Sequence, residues 1–259
     1  MKFSILINTH NQKQFLNKAI YSCVNQKFKD YEIIIVDTSD KKNFKVPRRK
    51  NIKYFFKKNK FIQAELNQMY KVKYGFQKSK GKYIILMDGD DKFSSKKLKF
   101  LNKLTEKKKI FFNQDIPNLY FQNSKTIKSL KIKNYKKNYL FEYFINNWPQ
   151  IYGTSSILIK SNLLSSFFKK AKPFKWPLLA IDIQLLIFCK IFYDVTNYGN
   201  SLTLKRIHGR NLGDKYLKLF SRKFWIRRNM QFKYNSFLRK KNIINIDCLF
   251  TNLICKIIK

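Results

Sequence analysis

At 259 residues the chain is long enough to bury one full core and a smaller lobe, and its 44% hydrophobic and 17% aromatic residues exclude a disordered tract. The formal net charge is +40, but the lysines run along the whole chain instead of gathering on one element, which reads as a bias of composition with Lys on the solvated faces. No zinc-finger spacing, Walker-type phosphate loop or aromatic RNA-binding strand accompanies that charge, so nucleic acid is set aside as principal partner and an anionic membrane surface is the better match.

The opening Met1-Lys2-Phe3-Ser4-Ile5-Leu6-Ile7 is basic and then apolar, and the polar Asn8-Thr9-His10-Asn11 ends it too early for a signal peptide. Phe3 to Ile7 therefore reads as a short buried strand, and the chain is expected in the cytoplasm, at most peripheral on the inner face of the membrane. Phe15, Leu16, Ala19, Ile20, Cys23 and Val24 recur at helical spacing, and Tyr31 to Val36 is a second strand running into Asp37-Thr38-Ser39-Asp40. After a basic loop come a third strand at Ile52 to Phe56 and a helix over roughly Ile62 to Ser79. Ser94 and Ser95 are placed to cap a further helix carrying Leu98, Leu101 and Leu104 on one face. Strands alternating with helices at this pace predict an α/β fold, Rossmann-like, with a mostly parallel sheet flanked by helices. Such a sheet gathers Thr9, Asp37 and Asp88 at the carboxyl ends of their strands, where ligands bind.

Gly81-Lys82-Tyr83-Ile84-Ile85-Leu86-Met87-Asp88-Gly89-Asp90-Asp91 is the most informative stretch, because an apolar strand delivers carboxylates straight into solvent. Two carboxylates one residue apart, with Gly89 letting the backbone bend, can be aimed at one hard divalent cation or split between a cation and a sugar hydroxyl. Taken alone, the stretch also reads as an ordinary polar turn.

Three segments in order, Ser4 to Asn11, Tyr31 to Asp40 and Lys80 to Asp91, resemble the family-2 glycosyltransferases of the GT-A fold. The resemblance implies a nucleotide-diphosphate sugar donor, with Thr9 and Asn11 on the donor side, Asp37 at the nucleotide base, Asp88 facing the ribose and Asp90 holding a divalent metal, Mn or Mg. The chain departs from the family pattern at Asn8, where Pro is usual, at Thr38, where a second Asp is usual, and at Val72-Lys73-Tyr74-Gly75, which lacks the Arg-Asn of the common Arg-Asn-x-Gly.

Further on, Asn118 to Gln122 is expected as an edge strand and Tyr139 to Trp148 as an aromatic-rich helix. Gly153 to Lys160 resembles the family's acceptor-side strand, followed by a helix from Ser161 to Phe168. The longest apolar run, Leu178 to Tyr193, is interrupted by Asp182 and Lys190, short of the roughly 18 to 20 residues that span a bilayer. Asp182, a lone acid in the first turn after Trp176-Pro177, stands where the family has its catalytic base, with Ile181 in place of the usual preceding Glu; it also suits a plain helix cap. Leu204 to Asn211 resembles the family's Tyr-Arg-x-His segment with Lys205 for the Tyr, which implies His208 as a metal ligand and Arg206 as a phosphate contact.

From Asp214 onward the pattern is a basic helix and then an amphipathic one with Ile243, Ile246, Phe250, Leu253 and Ile257 on a stripe. Cys23, Cys189, Cys248 and Cys255 have no paired ligand spacing and are assigned no chemistry. The expected organisation is a nucleotide-sugar-binding α/β half over 1–112, an acceptor-side and catalytic-base half of the same GT-A domain over 113–213, and a helical tail over 214–259. The expected activity is metal-dependent, inverting sugar transfer to an acceptor hydroxyl on a glycan or lipid-linked precursor of the cell envelope. Two other readings stand beside it: a basic module that binds anionic membrane or nucleic acid, and a GT-A domain that binds without turnover.

Overall fold

The structure, a computed structural model, describes residues 1–42, 44–130, 150–198, 200–209, 211, 213, 216 and 221–258. Phe3–Thr9 (β1), Tyr31–Asp37 (β2) and Tyr83–Asp88 (β4) are near-continuous apolar runs, as strands covered on both faces must be. They lie side by side and parallel, with Ile52–Phe56 (β3) closing the β2 edge. The register pairs Thr9 with Asp37 and Asn8 with Asp88, so the polar residues ending each run reach the same rim together.

Alternate side chains of a strand point to opposite faces, and these strands use that period to feed two cores. Phe3, Ile5, Ile7, Ile33, Ile35, Ile85 and Met87 pack with helices Lys13–Val24 (α1) and Lys97–Lys107 (α3). Leu6, Ile34, Val36, Ile84 and Leu86 pack on the other side, against Ala64–Gln77 (α2), Ser161–Lys170 (α4) and Ile181–Phe192 (α5). Each such buried Ile or Leu contributes about 1.5–3 kcal/mol.

Beyond β4 lie Phe112–Asp115 (β6), Ile157–Lys160 (β9) and Val195–Tyr198 (β10), giving the order β10-β6-β9-β4-β1-β2-β3 with β9 antiparallel to both neighbours. A second, smaller sheet joins Lys92–Phe93 (β5), Asn118–Phe121 (β7), Thr126–Ser129 (β8) and Thr203–Ile207 (β11) in the order β5-β11-β7-β8. β5 begins one residue after Asp91 and pairs with β11, which carries the residues after Leu204 back to the carboxylates.

Three local expectations are corrected. The segment at Asn118 is an inner strand of the small sheet, between β11 and β8. Neither Ser94 nor Ser95 caps α3: Lys96 occupies the cap position without a side-chain bond, and Lys97 N donates to the Ser94 carbonyl. Gly89 is required by close approach more than by bending, since a Cβ there would stand 2.7 Å from Thr9 Oγ1 and 2.9 Å from Gln12 Oε1. The helix expected over Tyr139 to Trp148 lies outside the described residues.

The C-terminal region divides in two. Arg222–Arg239 (α6), capped by Ser221 Oγ on Phe224 N, packs on α5, with Tyr234 buried against Trp176 and donating its hydroxyl to the Gln184 carbonyl at 3.0 Å. Ile246–Ile257 (α7), capped by Asn245, lies on α6 and is pinned to it by Arg228 and Asp247 at 2.6 Å. Among the described residues no helix is long and apolar enough to cross a membrane.

Candidate active site

At the rim where β1 and β4 end, a cleft of about 300 Å³ opens, and the carboxylates after β4 form one wall. Asp88 accepts from Asn8 Nδ2 at 2.9 Å and from Gln68 Nε2 at 3.1 Å, and its own amide donates to Ser155 Oγ at 2.9 Å. Asp90 Oδ2 lies 2.9 Å from His208 Nε2, while the Asp90 carbonyl accepts from Arg206 Nε at 3.0 Å. Asp91 accepts from Ser155 Oγ at 2.6 Å and from the Arg206 amide at 2.8 Å. Burial first, then the charge of Asp90, pushes the Asp88 carboxyl up to about 6. Burial, with Asp90 and Asp88 adding to it, holds Asp91 well above the ordinary carboxylate range.

Behind this wall sits a buried ion pair. Lys97, 1% exposed, donates to Asp115 Oδ1 and Thr203 Oγ1, each at 2.7 Å, and to the Ser155 carbonyl at 2.9 Å. One lysine thus ties α3, the last residue of β6, β11 and the turn before β9 together. Ser155, held by that lysine, bridges Asp88 and Asp91 in turn.

The cations facing the cleft are not the ones the sequence pointed to. Arg206 is buried; its guanidinium lies 4.5 Å from the Phe15 ring centre and 5.2 Å from that of Tyr120, and it holds the Asp90 carbonyl. Neighbouring residues on a strand point opposite ways, so Lys205 takes the cleft-facing place, over Gly153. Gly153 has φ +102°, a conformation that favours glycine, and its bare Cα leaves the place where Lys205 Nζ lies. Lys71 on α2, almost wholly buried, donates to the Thr9 carbonyl at 3.2 Å, and burial lowers its ammonium to about 8 against the raising influence of Asp88, Asp37 and Asp90. Its place in α2, one turn after Gln68, brings it to the rim. Arg227 of α6 also lines the cleft, 4.2 Å from the centre of the Tyr216 ring, and its buried Nε has no hydrogen-bond partner among the described residues.

Residues 4–163 match the sequence profile of glycosyl transferase family 2, well over half of the chain. The chain belongs to that family. Among curated relatives, it is 26% identical over 153 residues to an uncharacterized glycosyltransferase of Rickettsia bellii, covering 57% of this chain and 21% of that protein. It is 32% identical over 100 residues to a Campylobacter jejuni protein named GalNAc(5)-diNAcBac-PP-undecaprenol beta-1,3-glucosyltransferase, covering 36% of this chain and 31% of that one. The stretch matched thus spans only about a fifth to a third of these relatives. Crystallised Staphylococcus aureus TarS 1–349 in complex with UDP-GlcNAc superposes with a TM-score of 0.60 at 12% identity over 98% of this chain and 70% of that one. That likeness is of fold, and the fold is GT-A.

The remaining family-2 positions fall at two distances from the cleft. Asp182, second residue of α5, lines it and adds its charge to the repulsion on Asp88, while its Oδ1 accepts from the Ile183 amide at 2.8 Å. Asp37 ends β2 buried, with Oδ1 accepting from Ser39 and Oδ2 from Tyr54 at 2.7 Å. Thr9 is buried, its hydroxyl 3.3 Å from Gln12 Oε1. Asn11, at φ +53°, is exposed and spends its side chain clamping Asp40. Asp37, Thr9 and Asn11 therefore shape the shelf beside the cleft, and His10 joins them through a 2.7 Å contact with the Thr38 carbonyl.

Among the described residues no group of three or more His, Cys, Asp or Glu is arranged to hold a metal. Asp90 and His208 make a pair. The 2.9 Å between them is a direct hydrogen bond, so the two side chains would have to turn from each other toward a divalent cation to hold it together.

Proposed function

We propose that this chain transfers a sugar from a nucleotide-diphosphate donor to an acceptor hydroxyl, with inversion at the anomeric carbon, and that a lipid-linked or cell-envelope glycan supplies the hydroxyl. The observation that carries this reading is the meeting of Asp88 and Asp90, with His208 beside them, and Asp182 around one cleft flanked by Lys71, Lys205 and Arg227. The Campylobacter relative, named for a glucosyltransferase on an undecaprenol-linked glycan, supports the choice of acceptor.

Inversion is a single displacement: the acceptor oxygen bonds to the anomeric carbon as the bond to the diphosphate breaks, and the acceptor's proton must leave. Asp182 takes that proton. It stands in the first turn of α5 and lines the cleft, where an acceptor hydroxyl can reach it. Lys205 and Lys71 carry positive charge toward the departing diphosphate, and the unpartnered Nε of Arg227 is a donor awaiting an anion. Asp88 receives the ribose, and Asp37 receives the base in exchange for its Tyr54 hydrogen bond. Asp90 and His208 would hold Mn²⁺ or Mg²⁺, which when bound offsets charge on the leaving diphosphate as a Lewis acid.

The test is Asp182→Asn, isosteric and without a base. Donor binding, followed by calorimetry with manganese, should match the parent, while transfer falls at least about a hundredfold. Equal rates would remove Asp182 as the base, and a parent that binds donor but never turns over would make the chain a binding domain.

A further inference from the structure

The last helix is apolar on both sides. Toward α6 it buries Cys248 and Thr251, and on the opposite side Ile246, Leu249, Phe250, Leu253 and Ile257 follow one another at helical spacing, each more than half exposed, with Ile244 just ahead at 76%. The apolar stripe read in the sequence is therefore the outer face of this helix. A contiguous exposed apolar patch of this kind marks a contact surface.

Charge decides what covers it. From Ser221 to Lys259 the only acidic residue is Asp247, against nine lysines and arginines between Arg222 and Ile258. Asp247 is neutralised by two hydrogen bonds from Arg228 at 2.6 Å. Arg222, Lys223, Lys233, Arg239, Lys240, Lys241 and Lys256 are exposed, so the solvent-facing formal charge of this helical pair is of one sign. A second copy would bring the same +40 to the contact and be repelled. Lys256 flanks the stripe beside Leu249 and Leu253, and Lys240 and Lys241 precede it, the layout that seats apolar side chains among acyl chains and ammonium groups among anionic headgroups.

We propose that α7 lies in the surface of an anionic lipid bilayer, with Ile246, Leu249, Phe250, Leu253 and Ile257 inserted and the surrounding lysines and arginines on the headgroups. The seat stands independently of the transferase reading. Because α7 is pinned to α6, which also brings Arg227 to the cleft, a bound chain holds that cleft at a fixed distance from the lipid.

The test uses the full chain and its Leu249→Ser/Leu253→Ser variant, whose changes lie on exposed positions and should leave the melting curve unaltered. The parent should sediment with vesicles of phosphatidylcholine and phosphatidylglycerol at least about tenfold more than with phosphatidylcholine alone, and the variant should lose at least about tenfold of that binding. Equal binding by parent and variant would overturn insertion of the stripe, leaving charge alone. Absence of binding by the parent would overturn the lipid seat, and a parent dimer in sedimentation velocity that the variant breaks would assign the face to a second copy.

Discussion

The two walls of the cleft are built differently. The strand wall, Asp88 to Asp91, is fixed at every joint: Ser155, Asn8, Gln68 and Arg206 each bond it, and Lys97 braces Ser155 from behind. The helical wall is looser: among the described residues the one hydrogen bond of the Asp182 carboxylate is to the amide beside it, and Arg227 keeps an unpartnered Nε while its guanidinium lies over Tyr216. The contrast teaches a division of labour. A rim set by sheet register can hold a donor in one geometry, while side chains with few hydrogen bonds can adjust to an acceptor and move a proton.

The contrast can be broken most severely from behind the strand wall. Lys97→Met leaves Asp115 buried without its cation and should cost about 3–5 kcal/mol in urea unfolding. A loss under about 1 kcal/mol would show that the wall does not depend on this brace. Asp182→Asn, on the other wall, should show the reverse pattern, a barrier raised by about 3 kcal/mol with stability unchanged. Gly89→Ala forces a methyl against Thr9 and should cost about 1–3 kcal/mol, with donor affinity falling in step; calorimetry on the folded fraction checks it.

The smallest effect sharpens the comparison through pH. Lys71 is lowered to about 8 by burial, so between pH 8 and its ordinary 10.5 the unfolded chain holds a proton that the folded chain has released. Stability from this group therefore rises with pH across that window, by about 1 kcal/mol between pH 8 and 9. Lys71→Met should remove that rise, seen as a flatter stability profile than the parent's; parallel profiles would mean that the ammonium is not held as the structure has it.

Much of this was legible beforehand. Continuous apolar runs ending in Asp37 and Asp88 announce parallel strands with a polar rim, and Asp88, Asp90 and Asp182, singled out by the resemblance, line one cleft. Lys71 was not legible, because a lysine in a helix of a lysine-rich chain reads as solvated; only the packing of α2 beneath Thr9 buries it. Lys205 and Arg206 were exchanged for want of strand phase, which the pairing of Thr203 with Phe93 supplies. In the tail the sequence shows an apolar stripe but not which side of the helix meets α6, and the structure turns Cys248 and Thr251 inward.

The bonded rim also governs the traffic of ligands. The Asp88 amide is held by Ser155, the Gly89 amide by the Asn8 carbonyl, the Asp91 amide by the Asp88 carbonyl and the Arg206 amide by Asp91, so no stretch of this backbone can fray without unpicking its neighbours. These amides should exchange with deuterium as slowly as the central strands do, so of the two walls it is the helical one that clocks arrival and departure at the cleft.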